Sequence, residues 1–299
     1  MYHILYGFLY VISLLPIPLL YLLSDIIYLI LYYVVGYRKK VVMSNLAIAF
    51  PEKSEVERKE IARKFYKCFV DNWIETIKLL SISKQSLSKK VTANLDVFFK
   101  LHATGSSVQA TFGHFINWEI MNLYVGANQP YPFLTVYLPL SSKTIDRLMV
   151  QIRKRWGNPQ IIASDMARSI IPWRKKQYLL AIGTDQSPAI SENAYWLYFM
   201  NRPTGFAKGP EKFAYGQNIP VVMMTTTRPK RGHYHFEFYL VSDQPKSLPE
   251  GELIRRYVRH LEKNIRLQPE LYLWSHRRWK RGWKPEYNEF WVDNKPPPD

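Results

Sequence analysis

The stretch Val108-Gln-Ala-Thr-Phe-Gly-His-Phe-Ile-Asn-Trp-Glu119 decides how this chain is read. Val108 to Phe112 has the composition of a short strand, Gly113 breaks it, and Phe115 to Tyr124 can continue as a helix. His114 therefore stands at a strand-to-helix junction, where helix N–H groups point outward and favour negative charge. A neutral imidazole there can take a proton from a hydroxyl nucleophile, and a carboxylate on its other ring nitrogen would fix the tautomer. Glu119 is the candidate carboxylate. His and Glu five residues apart do not share one face of a continuous helix, so the pair needs His114 on the turn and Glu119 one turn into the helix. The same residues also suit a capping or packing histidine.

Outward from this stretch, strands and helices alternate. Strands are expected at Phe133–Tyr137, Gln160–Ala163, Tyr178–Ile182, Ile219–Thr226 and His235–Val241, the last two joined by the turn Lys230-Arg231-Gly232. Ile145–Trp156 reads as an amphipathic basic helix stopped by Gly157, and Leu253–Leu267 as a final helix. Upstream, Val41–Phe50 has helical spacing, and Ser54 with Glu57 forms a capping box for a longer helix. Ile61, Phe65, Phe69, Trp73, Ile77 and Leu80 recur at steps of three and four and predict its apolar face. Alternating elements of this kind predict an α/β domain with a mixed central sheet flanked by helices. No dinucleotide or phosphate-loop fingerprint is present.

The 299 residues are 47% hydrophobic and 15% aromatic, a globular composition with ample core. The formal charge of +17 calls for an anionic partner: nucleic acid, an anionic membrane surface or an acidic carrier protein. A single cysteine, Cys68, excludes an internal disulfide and a cysteine metal cage. From Ile4 to Ser24 no residue is charged, and Asp25 is the only charge before Arg38. That length of apolar chain can span a bilayer, although Pro16 and Pro18 also allow two shorter embedded helices. Arg38, Lys39 and Lys40 follow, which places the remaining chain in the cytoplasm by the positive-inside rule. Residues 1–37 are thus expected to anchor a cytoplasmic domain over 38–299.

Gly113-His-Phe-Ile-Asn-Trp-Glu119 resembles the H-x4-D/E block of the lysophospholipid and glycerolipid acyltransferase superfamily. Its longer form is similar to the branch containing the lauroyl and myristoyl transferases of lipid A biosynthesis. Four more segments match that branch in order: Arg38–Pro51, Gly183-Thr-Asp-Gln186, Pro203–Ala214 and Pro269–Arg278. The resemblance implies a glycerolipid acyltransferase-like fold and an O-acyltransferase without metal or cofactor. In it, His114, oriented by Glu119, deprotonates an acceptor hydroxyl that attacks an acyl thioester, from acyl carrier protein or acyl-CoA. The implied acceptor is an anionic lipid, a lipid A precursor, at the cytoplasmic face of the inner membrane. Asn117, Asp185, Gln186, Arg202, Lys208 and Arg147 are the implied substrate contacts. Asp185, at a strand end, suits either orienting a basic side chain or capping a turn, and Arg202, Lys208 or Arg147 are alternatives for the oxyanion or phosphate contact. Two departures stand out: Leu138 follows Val136-Tyr137 where the family commonly has arginine, and Ser187 replaces a second acidic residue after Asp185-Gln186.

Residues 253–284 hold ten Lys or Arg against two Glu, interleaved with Trp274, Trp279 and Trp283. Such a mixture suits an anionic lipid interface or an acidic carrier, with Trp274, Arg277, Arg278, Trp279, Lys280 and Arg281 as the contacts. It would also suit single-stranded nucleic acid, a partner that gives no use to the N-terminal apolar stretch. Two other functions fit the same sequence: acylation of a lysophospholipid, aminolipid or glycolipid, and a non-catalytic lipid-binding membrane protein.

Overall fold

The computed structural model describes residues 1–298; Asp299, the last residue of the expected 38–299 domain, lies outside them. The chain opens with two apolar helices, α1 (Tyr2–Leu14) and α2 (Ile17–Leu29). Proline lacks the amide a continuous helix needs, and the chain is extended at Pro16, with ψ at 144°. Two helices therefore form in place of one rod. A π-helical extension, Ile30–Val35, ends at Gly36 in the left-handed region, φ 63°. Ile17–Val35 is long and apolar enough to cross a membrane by length and composition.

The helix α3 (Lys39–Ala49) leads to α4 (Glu55–Lys78), whose start carries the expected capping box: Ser54 Oγ accepts from the Glu57 amide, and Glu57 accepts from the Ser54 amide. Helix α2 and its π-helical extension run antiparallel along α4, α2 pairing Tyr21 with Glu75 and Ser24 with Asp71, and the extension pairing Tyr32 with Tyr66. Helix α1 meets the far end of α4, where Lys78 Nζ and Ser81 Oγ donate to the Ser13 carbonyl, each at 2.7 Å. The ridge that α4 buries thus includes Asp71, Asn72, Glu75 and Thr76, while Trp73, expected on the apolar face, is 44% exposed. Hydrophobic spacing could not show this, because the ridge is held by ions and hydrogen bonds.

Beyond α4 come α5 (Lys84–Ser88), β1 (Val91–Ala93), α6 (Asp96–Ala103), β2 (Val108–Phe112), α7 (Trp118–Asn128) and β3 (Phe133–Tyr137). They continue through α8 (Lys143–Arg153), β4 (Gln160–Ile162), α9 (Met166–Ser169), β5 (Leu179–Gly183), β6 (Ala194–Phe199) and β7 (Arg202–Ala207). The last are α10 (Gly209–Gln217), β8 (Val221–Lys230), β9 (His233–Ser242) and α11 (Glu252–Leu267). A seven-stranded mixed sheet of order β1-β9-β8-β2-β5-β3-β4 forms the centre. Strands β8, β2, β5, β3 and β4 are mutually parallel, while β9 pairs antiparallel with β8 and parallel with the edge strand β1. Every residue of β2 is buried, as expected for a strand covered on both faces. The expected mixed α/β architecture is therefore present.

The hairpin β6–β7 forms a second, two-stranded sheet, and β7 overlaps the start of the matched segment Pro203–Ala214. Pro203 and Gly205 interrupt the strand signal there, and a two-stranded sheet tolerates both because each strand has a free edge. Helix α7 begins at Trp118 rather than Phe115. Residues 114–116 are instead tied to the C-terminal segment: the Ile116 amide donates to the Leu271 carbonyl at 2.8 Å, and the Leu273 amide to the His114 carbonyl at 3.1 Å.

Asp71 accepts from Arg228 at 2.6 Å and from Arg231 at 2.7 Å, and Arg231 also reaches Asp25 of α2 at 2.8 Å. Arg228 is only 9% exposed. Replacing Asp71 by Ala would leave that guanidinium short of a partner and cost about 3–5 kcal/mol. Chemical denaturation of the detergent-solubilised protein should show this loss, and a change under 1 kcal/mol would contradict it.

Candidate active site

Phe112 and Gly183 are opposite one another at the carboxyl ends of the parallel neighbours β2 and β5. Loops leaving adjacent parallel strands in register share one edge of the sheet, so His114, two residues past Phe112, meets Asp185, two past Gly183. The contact is bidentate. His114 Nδ1 lies 2.5 Å from Asp185 Oδ1, and the His114 amide donates to Oδ2 at 2.9 Å. Both glycines are sterically required. A Cβ on Gly183 would stand 2.7 Å from His114 Cε1, and one on Gly113 would stand 2.6 Å from Leu261 Cδ1.

Because the carboxylate accepts at Nδ1, that nitrogen carries the proton and Nε2 is left as the basic atom. Facing Nε2 is the side-chain amide of Gln186 at 3.3 Å. The Trp118 ring packs edge-on against the imidazole with centroids 5.6 Å apart. Burial works against the imidazolium, but the Asp185 carboxylate outweighs it and holds the His114 pKa above its ordinary value. Burial likewise opposes the Asp185 carboxylate; the charges of His114 and Arg278 prevail and hold its pKa below the ordinary carboxylate range.

Glu119 has a different partner from the one expected. It is 1% exposed and clamped by Arg153 of α8, with Nη2 at 2.6 Å and Nε at 3.0 Å, and it also accepts from Trp118 Nε1 at 2.9 Å. Because α7 starts only at Trp118, the Glu119 side chain projects toward α8 while His114 turns toward β5. The carboxylate that meets the imidazole comes from the Thr184-Asp185 segment. Arg153, which the sequence reading missed, sits in a basic helix with no spacing signal to single it out.

The other expected contacts separate in the same way. Asp185 and Gln186 join His114. Asn117 is fully buried and bonds to Glu75, so it does not face a substrate. Arg202 and Lys208 stand at opposite ends of β7, about 20 Å apart at strand rise, so they are separate alternatives for an oxyanion contact. Lys208 lies over the Phe290 ring at 3.9 Å. Arg147 lies over Tyr2 of α1 at 4.1 Å and braces the N-terminal helix. Leu138, at 64% exposure, brings no charge of its own to the end of β3, where the Arg153 guanidinium lies 5.7 Å from the centre of the Tyr137 ring.

Half of the basic, aromatic surface expected at the C-terminus is interior. Trp274 is 1% exposed and donates to the Pro269 carbonyl at 2.6 Å. Trp279 donates to Thr204 Oγ1 at 2.8 Å and stacks on Phe199. Arg278, 3% exposed, donates to the Gly205 carbonyl at 2.8 Å and lies over Phe206. Trp279 and Arg278 join the C-terminal segment to the β6–β7 hairpin, whereas Trp274 packs edge-on with Phe50 and Tyr272, so these three side chains are interior. Arg277, Lys280 and Arg281 remain exposed. Ser187, in place of a second acid, donates to the Arg278 carbonyl at 2.6 Å.

If His114 acts as a base it must be neutral, so activity should fall as pH drops through its raised pKa. Asp185→Asn removes the group that raises it. The acid limb of the pH–rate profile should then move to lower pH, while the plateau drops by about 10²–10⁴ because the tautomer is no longer fixed. Glu119→Gln should move the limb less. A larger shift with Glu119→Gln would assign the orienting role to that residue instead.

Residues 1–281 match the family described as bacterial lipid A biosynthesis acyltransferase. Among curated relatives, the lipid A biosynthesis palmitoleoyltransferase of Escherichia coli (strain K12) is 22% identical over 246 residues, covering 81% of this chain and 79% of the relative. The lipid A biosynthesis lauroyltransferase of the same organism is 23% identical over 278 residues, 92% of this chain and 89% of the relative. The chain belongs to the bacterial lipid A biosynthesis acyltransferase family and is an acyltransferase.

Proposed function

We propose that this acyltransferase moves a fatty acyl chain from the thioester of an acyl carrier protein to a hydroxyl of a lipid A precursor. The reading is carried by one observation: Nδ1 of His114 is committed to Asp185, so Nε2 is the atom free to act as base. The family and its two relatives support the acceptor class. The acceptor hydroxyl displaces Gln186 from Nε2 and gives up its proton there as its oxygen attacks the thioester carbonyl carbon. The displaced Gln186 amide is a donor at hand for the resulting oxyanion, the role left open by Leu138. Collapse breaks the carbon–sulfur bond, and the imidazolium returns the proton to the leaving thiolate. Asp185 stabilises the imidazolium throughout and needs no proton of its own.

The site belongs at the cytoplasmic face of the inner membrane, with residues 1–37 as the anchor. Phe8, Val11 and Leu14 of α1, and Leu22, Ile26, Leu29 and Ile30 on and beyond α2, are exposed large apolar side chains. A lipid phase removes that cost. Arg38, Lys39 and Lys40 follow directly, as expected on the anionic, cytoplasmic side. Exposed Arg277, Lys280 and Arg281 suit steering of an acidic carrier protein. Arg281 reaches the Ala189 carbonyl, so this patch adjoins the loop that follows Gln186.

His114→Ala should reduce thioester consumption on membranes by at least about 10²-fold, and mass spectrometry of a deletion strain should show lipid A lacking one acyl chain. Unchanged lipid A with an altered phospholipid or aminolipid pool would assign a different acceptor. No turnover with any thioester would leave only a lipid-binding role.

A further inference from the structure

Glu75 lies outside every motif that the sequence singles out. Its carboxylate is 5% exposed and accepts from three elements at once: Tyr21 Oη of α2 at 2.8 Å, Tyr234 Oη of β9 at 2.6 Å, and Asn117 Nδ2 of the loop that carries His114. Arg228 Nη2 stands 3.7 Å away and balances its charge.

The Asn117 contact comes at a local cost. Asn117 occupies the N-cap of α7, where an Asn side chain ordinarily accepts from an amide of the first turn. It makes no such bond, and its Oδ1 is buried without a partner. Turning the amide over would aim that oxygen at the Glu75 carboxylate. A cap and an acceptor are both given up so that Nδ2 can reach Glu75. The next residue, Trp118, presents its ring edge to His114 and its Nε1 to Glu119. A shift at Asn117 is therefore felt directly at the imidazole.

We propose that Glu75 is a positioning residue that couples the seating of α2 on α4 to the geometry of the His114 loop, through Tyr21 on one side and Asn117 on the other. The outer face of α2 is apolar and meets lipid, whereas its inner face carries Tyr21. The loop is thus held in working geometry only when the anchor helix is docked. This rests on the reading of His114 as the base.

The test uses the full chain in phospholipid nanodiscs, with kcat and KM from thioester consumption. Tyr21→Phe removes one hydroxyl and keeps the ring. It should lower kcat about five- to tenfold, given that misplacement of a reacting group by 1 Å can cost about 10², with KM altered less than about twofold. Glu75→Gln should lose at least as much. Glu75→Gln combined with Asn117→Asp restores a carboxylate–amide pair with the roles exchanged, and should recover most of that kcat. Wild-type kcat in Tyr21→Phe would overturn the proposal, as would a double variant no better than Glu75→Gln; if Tyr21→Phe fails to accumulate, the second comparison decides alone. His114→Ala separates the two claims. If it is fully active, the base is misassigned; if it is inactive while Tyr21→Phe keeps wild-type kcat, only the positioning role falls.

Discussion

Two parallel strands ending level with each other create the site. Phe112 of β2 and Gly183 of β5 are register partners at the strand ends, and two residues beyond each the chain places His114 and Asp185. A shift of one residue in that register would turn the side chains to opposite faces and separate the imidazole from its carboxylate. The register is secured by complete burial of β2 and near-complete burial of β5. Gly183 supplies the missing Cβ that lets the ring lie against the strand. Buried packing thus delivers a polar pair to one edge of the sheet, and the bidentate contact of Asp185 with both the ring and the amide of His114 locks it there.

The loop that carries His114 has no regular secondary structure of its own between β2 and α7, so its shape is borrowed. The C-terminal segment supplies backbone partners through Leu271 and Leu273. The interior Arg278, Trp274 and Trp279 fix that segment in turn against β7 and the core. From the other side, Glu75 holds Asn117. The N-terminal helical region, through Tyr21 and Glu75, and the C-terminal segment, through Leu271 and Leu273, therefore converge on one short loop near the middle of the sequence. Such an arrangement keeps the imidazole rigid, and ties its geometry to both ends of the chain.

Much of the fold was legible because buried parallel strands read as unbroken apolar runs. Phe133–Tyr137 was expected and observed with the same bounds, and the sheet-edge position of His114 followed from one strand and one glycine. Elements held by other forces were not legible. Strand β1 is three residues long, and the β6–β7 hairpin contains Pro203 and Gly205, so neither carries a periodic signal. Local spacing joined His114 to Glu119, yet side-chain direction is set by where the helix starts, and α7 starts four residues past His114. The partner in the structure, Asp185, is 71 residues away along the chain; its place at a strand end is legible, but its contact with His114 follows from the pairing of β2 with β5. The basic tail misled for a related reason. Charge and tryptophan content suggested a surface, but Arg278 is an interior guanidinium packed on Phe206, with its charge facing Asp185.

The account turns on Nε2 of His114 being the atom that meets the acceptor. The most direct check is a structure of the protein with a lipid A precursor bound, in which the distance from the acceptor hydroxyl to the site is measured. That oxygen should lie within about 3.2 Å of His114 Nε2, with the Gln186 amide displaced and Nδ1 still on Asp185. A hydroxyl seated against Glu119 and Arg153, with Gln186 undisturbed on Nε2, would contradict the account.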